Sequence, residues 1–324
     1  MSTFLIHLRP HNRKVYKYRR RIYSMVYTEI KLVNGNKYYY RVKSIRKDKK
    51  VKKERIYLGA NLSKKILIRK ISKADKELKL LNLLITNDEI KLLQKIKKEY
   101  NSQQKINFDN RYEAFCSLFT YNSTAIEGNT LTLQETAQLL FENQVPSSKS
   151  LREINEITNH KEGFDFILKT NEDISKKLIL SLHEIVVKRT LKEELQNQIG
   201  KYRSLQVFIR GVDFIPVSPK NVPKEMRNLL YWYSRNKKKL HPLILAAYFH
   251  AAFEGIHPFV DGNGRVGRLL MNLILHKNNY PMINIPNDIK NVYYSALYIA
   301  QKKGNLRPFI EFLIDLLKEE KIRF

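Results

Sequence analysis

Beyond about residue 108 the apolar residues of this chain fall at helical spacing. The stretches PLILAAYFHAAFEGI (242–256) and RVGRLLMNLILHKN (265–278) are apolar with a three-to-four-residue period rather than an alternating one, and they bracket a short glycine-rich loop. Upstream, KADKELKLLNLLITNDEIKLLQKIKKEY (73–100) also reads as helix, with Asn87 and Asp88 placed to cap its second run. The first part of the chain follows another rhythm. RIYSMVYTEIKLV and KYYYRVKSIRK flank Asn34-Gly35, a dipeptide suited to the positive φ of a tight hairpin, and KVKKERIYLG follows the polar turn Lys47-Asp48-Lys49-Lys50. This pattern predicts a three-stranded meander. One stretch breaks the helical rhythm further on: GKYRSLQVFIRGVDFIPVSP (Gly200–Pro219) holds two short runs rich in Val, Ile and Phe around Arg210-Gly211, with prolines after the second, and predicts a hairpin. The expected architecture is mainly α. A small basic β-rich domain spans 1–72, a helical linker 73–107, and a helical core 108–324.

Charge sharpens the first boundary. Met1–Ser72 carries 22 Lys and Arg against Glu29, Asp48 and Glu54, a balance of +19 out of the formal +29 of all 324 residues. Its strands mix these cations with Tyr38, Tyr39, Tyr40 and Tyr57, a mixture that binds phosphate backbones and stacks on bases. Side chains alternate along a strand, so of the three consecutive tyrosines only Tyr38 and Tyr40 share a face. Nucleic acid, an acidic protein or a ribosomal surface would all suit this domain, and a solvated sheet face is the plain alternative.

Composition narrows the rest. A 43% share of hydrophobic residues suffices for a core. The one cysteine, Cys116, excludes an intrachain disulfide framework, points to a reducing compartment, and reads as a small buried apolar residue within YEAFCSLF. No apolar run approaches a membrane span, and MSTFLIHLRPHNRKVYKYRRR has too short an apolar run for a secretory signal, so the expected location is cytoplasmic. His250 and His257, seven apart, read as helix neighbours rather than metal ligands.

The chemistry concentrates in His257-Pro258-Phe259-Val260-Asp261-Gly262-Asn263-Gly264-Arg265-Val266-Gly267-Arg268. Gly262 and Gly264 allow backbone conformations and close approaches that let successive N–H groups converge on an anion. The helix beginning near Arg265 turns its positive end toward the same place. Arg265 and Arg268, at i and i+3, project from nearly one face and can grip a polyphosphate. Asp261 is a hard oxygen ligand suited to Mg²⁺ between phosphates, and His257 is a base beside them.

HPFVDGNGRVGR resembles the signature of Fic-domain proteins at every specified position. That resemblance implies a helical core carrying a β-hairpin flap, and an enzyme that transfers AMP from ATP to a hydroxyl side chain of a target protein. By the same resemblance His257 is the general base, Asp261 holds Mg²⁺, and Gly262, Asn263, Gly264, Arg265, Gly267 and Arg268 form the nucleotide-contact set. Ser123-Thr124-Ala125-Ile126-Glu127-Gly128 resembles the family's inhibitory motif. It implies a helix, ended by Gly128, whose Glu127 pairs with Arg268 and denies it to the γ-phosphate. Gly200–Pro219 resembles the flap whose edge pairs with an extended stretch of the target. Val207, Phe208, Ile209 and Arg210 join the expected site there, although Val217 stands where a second proline is usual. Asn291–Gln301 resembles the helix lining the adenine pocket, with Tyr293, Tyr294 and Gln301 as contacts.

Two function classes follow. One is an autoinhibited protein adenylyltransferase, with self-modification and removal of AMP as further activities of one site. The alternative is a non-enzymatic nucleic-acid-binding or nucleotide-sensing protein built on the basic domain; the intact His257 weighs against it. A dimer is compatible with the sequence, which sets no oligomeric state.

Overall fold

Asn34 (φ 49°) and Gly35 (φ 77°) supply the two positive φ values that join β1 (Tyr23–Val33) to β2 (Asn36–Lys47), as the Asn-Gly signal requires. β3 (Lys50–Ala60) pairs antiparallel with β2, completing the expected meander in the order β1-β2-β3. In this computed structural model residues 23–47, 50–77, 84–103, 107–209, 215–320, 322 and 324 are described. Tyr39 pairs with Gly59 and Tyr40 with Tyr57, so Leu58 is the extra residue of a bulge. α1 (Lys64–Glu77) closes one face of the sheet, burying Tyr39, Leu58 and Ala74 among Ile56, Leu62, Leu67 and Ile71.

The other ten α-helices among the described residues follow from local signals. α4 (Leu133–Phe141) and α5 (Leu151–Lys169) start at capping boxes, Thr132 with Glu135 and Ser150 with Glu153. α7 (Val222–Asn236), α8 (Pro242–Ile256) and α11 (Arg307–Glu319) carry proline in the first turn, where its missing N–H costs nothing. α10 (Lys290–Lys303) stops at Gly304 in the left-handed conformation. α8 and α9 (Asn263–His276) pack side by side at the centre, wrapped by α3 (Phe108–Ala125), α5, α6 (Lys176–Val187), α7, α10 and α11. Their apolar faces form one cluster through Phe249, Phe253, Val266, Leu269 and Leu273.

α2 (Asn87–Gln103) departs from the linker expectation. Leu93 and Ile96 enter the main core, and Arg307 of α11 grips Glu89 through both carboxylate oxygens at 2.6 and 2.8 Å. A helix anchored by a buried two-pronged ion pair packs as part of the helical core rather than as a tether. Residues 78–83 and 104–106 of the expected linker lie outside the described residues, as do 1–22 of the basic domain.

Burial of histidine makes the core acid-sensitive. His183, His241 and His257 are pushed down to about 4 and His250 to about 3, in each case first by desolvation. Below the ordinary histidine value of about 6.5 the unfolded chain binds protons that the folded chain refuses, so stability is lost as pH falls from there toward about 4. Thermal unfolding followed by circular dichroism is expected to show Tm dropping steeply across that window; a flat Tm would contradict the burial of these rings.

Candidate functional site

The loop joining α8 to α9 is fixed at both ends by left-handed residues. His257 (φ 52°) caps α8, its N–H donating to the Phe253 carbonyl at 2.9 Å, and Gly262 (φ 80°) caps α9. A Cβ at Gly262 would stand 2.6 Å from Val187 Cγ1, so only glycine fits there. Asn263 clips the loop: its Oδ1 accepts from the Phe259 N–H and its Nδ2 donates to the Phe259 carbonyl, both at 2.9 Å. Both polar atoms of the Asn263 side chain, expected among the nucleotide contacts, are thus engaged in shaping the turn.

His183 braces the loop from α6. Its ring stacks on Phe259 at 3.7 Å, its Nδ1 accepts from the Gly200 N–H at 3.1 Å, and its Nε2 therefore carries the proton donated to the Asp261 carbonyl at 3.2 Å. Arg203 braces it from the flap stretch, donating from Nε to the His257 carbonyl at 2.7 Å while its own N–H bonds the Pro258 carbonyl at 2.9 Å.

His257 is neutral in this setting. Desolvation lowers it to about 4, outweighing the Glu254 main chain and the Glu127 charge, which pull the other way. A neutral imidazole at physiological pH is ready to take a proton.

The two arginines differ in availability. Arg268 is 1% exposed and fully engaged: Nε donates to Ser123 Oγ at 3.0 Å, and Nη2 to the Ser123 carbonyl and Glu127 Oε1, each at 2.7 Å. Burial alone would lower this guanidinium, but the Glu127 carboxylate reverses that and holds it above its usual value. Arg265, equally buried, donates from Nη2 to Asp261 Oδ1 at 3.1 Å, while its Nε and Nη1 have no hydrogen-bond partner. The nearest carboxylate to Nη1, Glu156 Oε1, stands 3.8 Å away, an ion pair without a hydrogen bond, and buried donors left so are costly.

Glu127 lies in the turn beyond α3 rather than within a helix. Three N–H groups, those of Glu127, Gly128 and Asn129, close that turn onto the end of α3, with Gly128 at φ 105°. The carboxylate then reaches over the α9 N-terminus. A Cβ on Gly264 would stand 2.1 Å from Glu127 Oε1, so the glycine provides the seat for the acid.

Asp261 is ionised. Burial would raise its carboxyl, but Arg265, the Gly262 N–H and Arg152 outweigh it and hold it below the usual carboxylate range. No cluster of three or more His, Cys, Asp or Glu suited to a metal exists among the described residues. Asp261 is held by Arg265 at 3.1 Å and Arg152 at 3.3 Å, and an ionised carboxylate of this kind suits Mg²⁺, which is bound through one or two carboxylates and water rather than a protein cage.

The remaining expectations fare unevenly. Tyr293 is a correction: it is 1% exposed, and its hydroxyl lies 2.7 Å from His250 Nε2, so it is bound into the core and presents no open face to a base. Tyr294 stands outward, 42% exposed, with its hydroxyl 3.4 Å from the Ile126 carbonyl. Gln301 lies against α8, donating to the Ala251 carbonyl at 3.1 Å. The described residues of the flap stretch, 200–209 and 215–219, form no strand. Arg203 bonds the carbonyls of Leu205 and Val217 on its two arms, and Gln206 bridges to the Pro216 carbonyl, so side chains tie the arms where prolines 216 and 219 remove ladder donors. Val207, Phe208 and Ile209 lie on the first arm; Arg210 lies outside the described residues.

Sequence reasoning missed Arg203, His183 and Arg152. They are distant in the chain and carry no local signature. His250 and Glu254 had one: with His257 they sit at i−7 and i−3 on one face of α8.

Residues 173–275 match the model of the Fic/DOC family. The protein adenylyltransferase Fic of Drosophila persimilis is 36% identical over 199 residues, 60% of this chain and 38% of that protein. The protein adenylyltransferase fic-1 of Caenorhabditis elegans is 34% identical over 202 residues, with the same coverage. The chain thus spans about two fifths of the length of these curated relatives. Among solved structures, a Fic-domain-containing signalling protein from Bacteroides thetaiotaomicron aligns with a TM-score of 0.64 at 29% identity, covering 71% of this chain and 93% of that one. A C. elegans Fic-1 fragment aligns with a TM-score of 0.62 at 26% identity, covering 80% and 75%.

Proposed function

We propose that this chain, which carries a domain of the Fic/DOC family, is a protein adenylyltransferase restrained by its own Glu127. The observation that carries the reading is the conjunction in one loop of a neutral base, His257, with two buried arginines, one of them already clasped by a carboxylate. ATP is the substrate. Arg265 offers its unpartnered donors to the phosphate chain, and Arg268 receives the γ-phosphate once Glu127 leaves. His257 takes the proton from a hydroxyl of the target, whose oxygen bonds to the α-phosphorus as the bond to the β-phosphate bridge breaks and diphosphate departs. Mg²⁺, when bound at Asp261, offsets charge on the phosphate oxygens. Positioning and electrostatics do most of the catalysis in such a transfer.

The target reaches the base as an extended segment along the flap. Leu205, Phe208 and Ile215 stand 50%, 76% and 68% exposed on its two arms, an apolar surface for a chain held by main-chain hydrogen bonds. Water in place of the hydroxyl would reverse the outcome, with Glu127 orienting it to release AMP from a modified protein. Incubation of the Glu127→Gly variant with α-labelled and γ-labelled ATP tests the reading. Label is expected on protein from the α-labelled nucleotide alone; label from the γ position would mean a kinase, and none from either would end the proposal.

A second reading belongs to the basic sheet. On the face away from α1, Tyr57 meets Tyr40 at 5.3 Å and Tyr38 at 6.4 Å, and Lys31 lies over the Tyr40 ring. Lys53 and Arg55 share that face, where Arg55 bonds Glu29 at 2.9 Å. Aromatic rings bordered by cations suit a single-stranded nucleic acid. Fluorescence anisotropy with a labelled single strand is expected to show affinity that falls steeply with salt, and Tyr57→Ala is expected to weaken binding by roughly fivefold or more, since stacking is worth ~1–3 kcal/mol per base. Salt-independent binding, or none, would exclude the reading.

A further inference from the structure

Three residues before His257, at the end of α8, Glu254 sets a carboxylate beside the base. Its Oε2 lies 3.9 Å from His257 Nδ1, its side chain is 12% exposed, and its Oε1 is sealed from solvent with no hydrogen-bond partner. His257 Nδ1 and His250 Nδ1 are sealed as well and reach no hydrogen bond of good geometry, although the main chains of Glu254 and Gly267 act on the two rings and favour their protonated forms. Three orphaned polar atoms around one buried spot are not a packing accident a core tolerates cheaply, since buried polar groups are nearly always paired.

The glycine at 267 explains how the carboxylate fits. A Cβ there would stand 2.3 Å from Glu254 Oε1 and 3.1 Å from His250 Nδ1. Gly267 thus leaves a gap that Glu254 fills. From His250 the polar path continues to the Tyr293 hydroxyl, and Tyr293 adjoins Arg268.

We propose that Glu254 is the positioning residue of His257: from 3.9 Å its carboxylate favours the proton on Nδ1 of the ring, which leaves Nε2 free as base, and steadies the imidazolium formed when a hydroxyl proton arrives. The closing half of that statement rests on the adenylyltransferase reading; the first half does not. No atom is gained or lost beyond the proton that passes from the hydroxyl to Nε2. A carboxylate behind an imidazole selects its tautomer and favours its charged form, which is why removing such a partner costs rate without disturbing substrate binding.

The surroundings make the partner responsive. Glu254 is faced by His257 from the loop, His250 from its own helix, Glu127 from the turn after α3, Arg268 from α9, and Tyr293 and Tyr294 from α10. Burial raises its carboxyl to about 8; Arg268 opposes this and the Glu127 charge adds to it. With Glu127 docked, the group is protonated near neutral pH and a poor acceptor. Loss of Glu127 removes one opposing charge, so the contact that blocks the nucleotide also weakens the base.

Two measurements on the full chain test the proposal. Long-range ¹⁵N–¹H NMR of ¹⁵N-histidine-labelled protein, with the His257 signals identified by their loss in His257→Ala, reports tautomer and titration directly. Above about pH 8 the parent is expected to hold the Nδ1–H form, and Glu254→Gln to shift it toward Nε2–H and move its titration. In a Glu127→Gly background Glu254→Gln is expected to lower kcat tenfold or more, with KM for ATP changed less than twofold, and to abolish the pH limb that Glu254 gives, which lies below the value of about 8 held with Glu127 in place. Unchanged His257 signals in Glu254→Gln would overturn the proposal whatever the activity. Should Glu127→Gly itself transfer no AMP, the adenylyltransferase reading fails, while the NMR result still decides whether Glu254 orients the ring. If Glu254→Gln does not fold, Glu254→Asp, which withdraws the carboxylate by one methylene, is read in the same way.

Discussion

Replacing Glu127 by glycine is expected to raise AMP transfer from ATP by about 10- to 100-fold, the range that follows from freeing a charge-assisted contact of roughly 1.5–3 kcal/mol. The argument is one of exclusive occupancy. Arg268 Nη2 donates to Glu127 at 2.7 Å, and the acid sits where a Cβ of Gly264 would be, directly over the loop. A nucleotide that uses Arg268 must therefore displace Glu127, spending part of its binding energy on the exchange. Ser123 stays in place in the variant and still holds the guanidinium, so Arg268 remains oriented for the γ-phosphate.

The same substitution alters stability in a way that isolates the cause. Arg268 is 1% exposed, and without Glu127 its charge lacks a carboxylate partner. The ligand-free variant should melt below the parent, and ATP with Mg²⁺ should raise its Tm by more than it raises the parent's. Glu127→Gln keeps the volume and loses the charge, and its activity should fall between the two. Equal labelling by parent and Glu127→Gly, measured with α-labelled ATP, would remove Glu127 from any inhibitory role.

Much of the site was legible because its parts are contiguous. Between His257 and Arg268 the residue types, their order and their spacing are set by one turn entering one helix, and local rules read such features well. Glu127 and Arg268 lie 141 residues apart, and a motif resemblance was needed to pair them; the structure adds that Ser123 is the third partner and that Gly264 is the seat. The parts that were not legible share a cause. Asn263 has the chemistry of a phosphate ligand, and the turn it starts engages its amide. Tyr293 and Tyr294 are adjacent, and helix geometry sends one inward to His250 and leaves the other outside, a choice that depends on which face α8 occupies. The flap arms are rich in β-branched residues, but Arg203 takes up carbonyls that a ladder would have used. α2 looked like a connector because its anchor, Arg307, comes more than two hundred residues later.

His257→Ala, made in the Glu127→Gly background, is expected to lower kcat by about 10²–10⁴-fold, the usual range for loss of a general base. ATP affinity should hold, since the arginines and Asp261 are untouched; an unchanged thermal shift with ATP and Mg²⁺ would show it. A pH profile of the parent cannot replace this variant. With His257 lowered to about 4, the ring stays neutral down to that pH, and the acid limb it would produce falls where the buried histidines already destabilise the fold. The informative region is the alkaline one. Glu254, raised to about 8, lies 3.9 Å from His257 and changes charge in that region. If His257→Ala retains activity that rises with pH through that value, the proton has been going to Glu254. If it retains none, the carboxylate serves only through the imidazole, as a residue 3.9 Å from Nδ1 should.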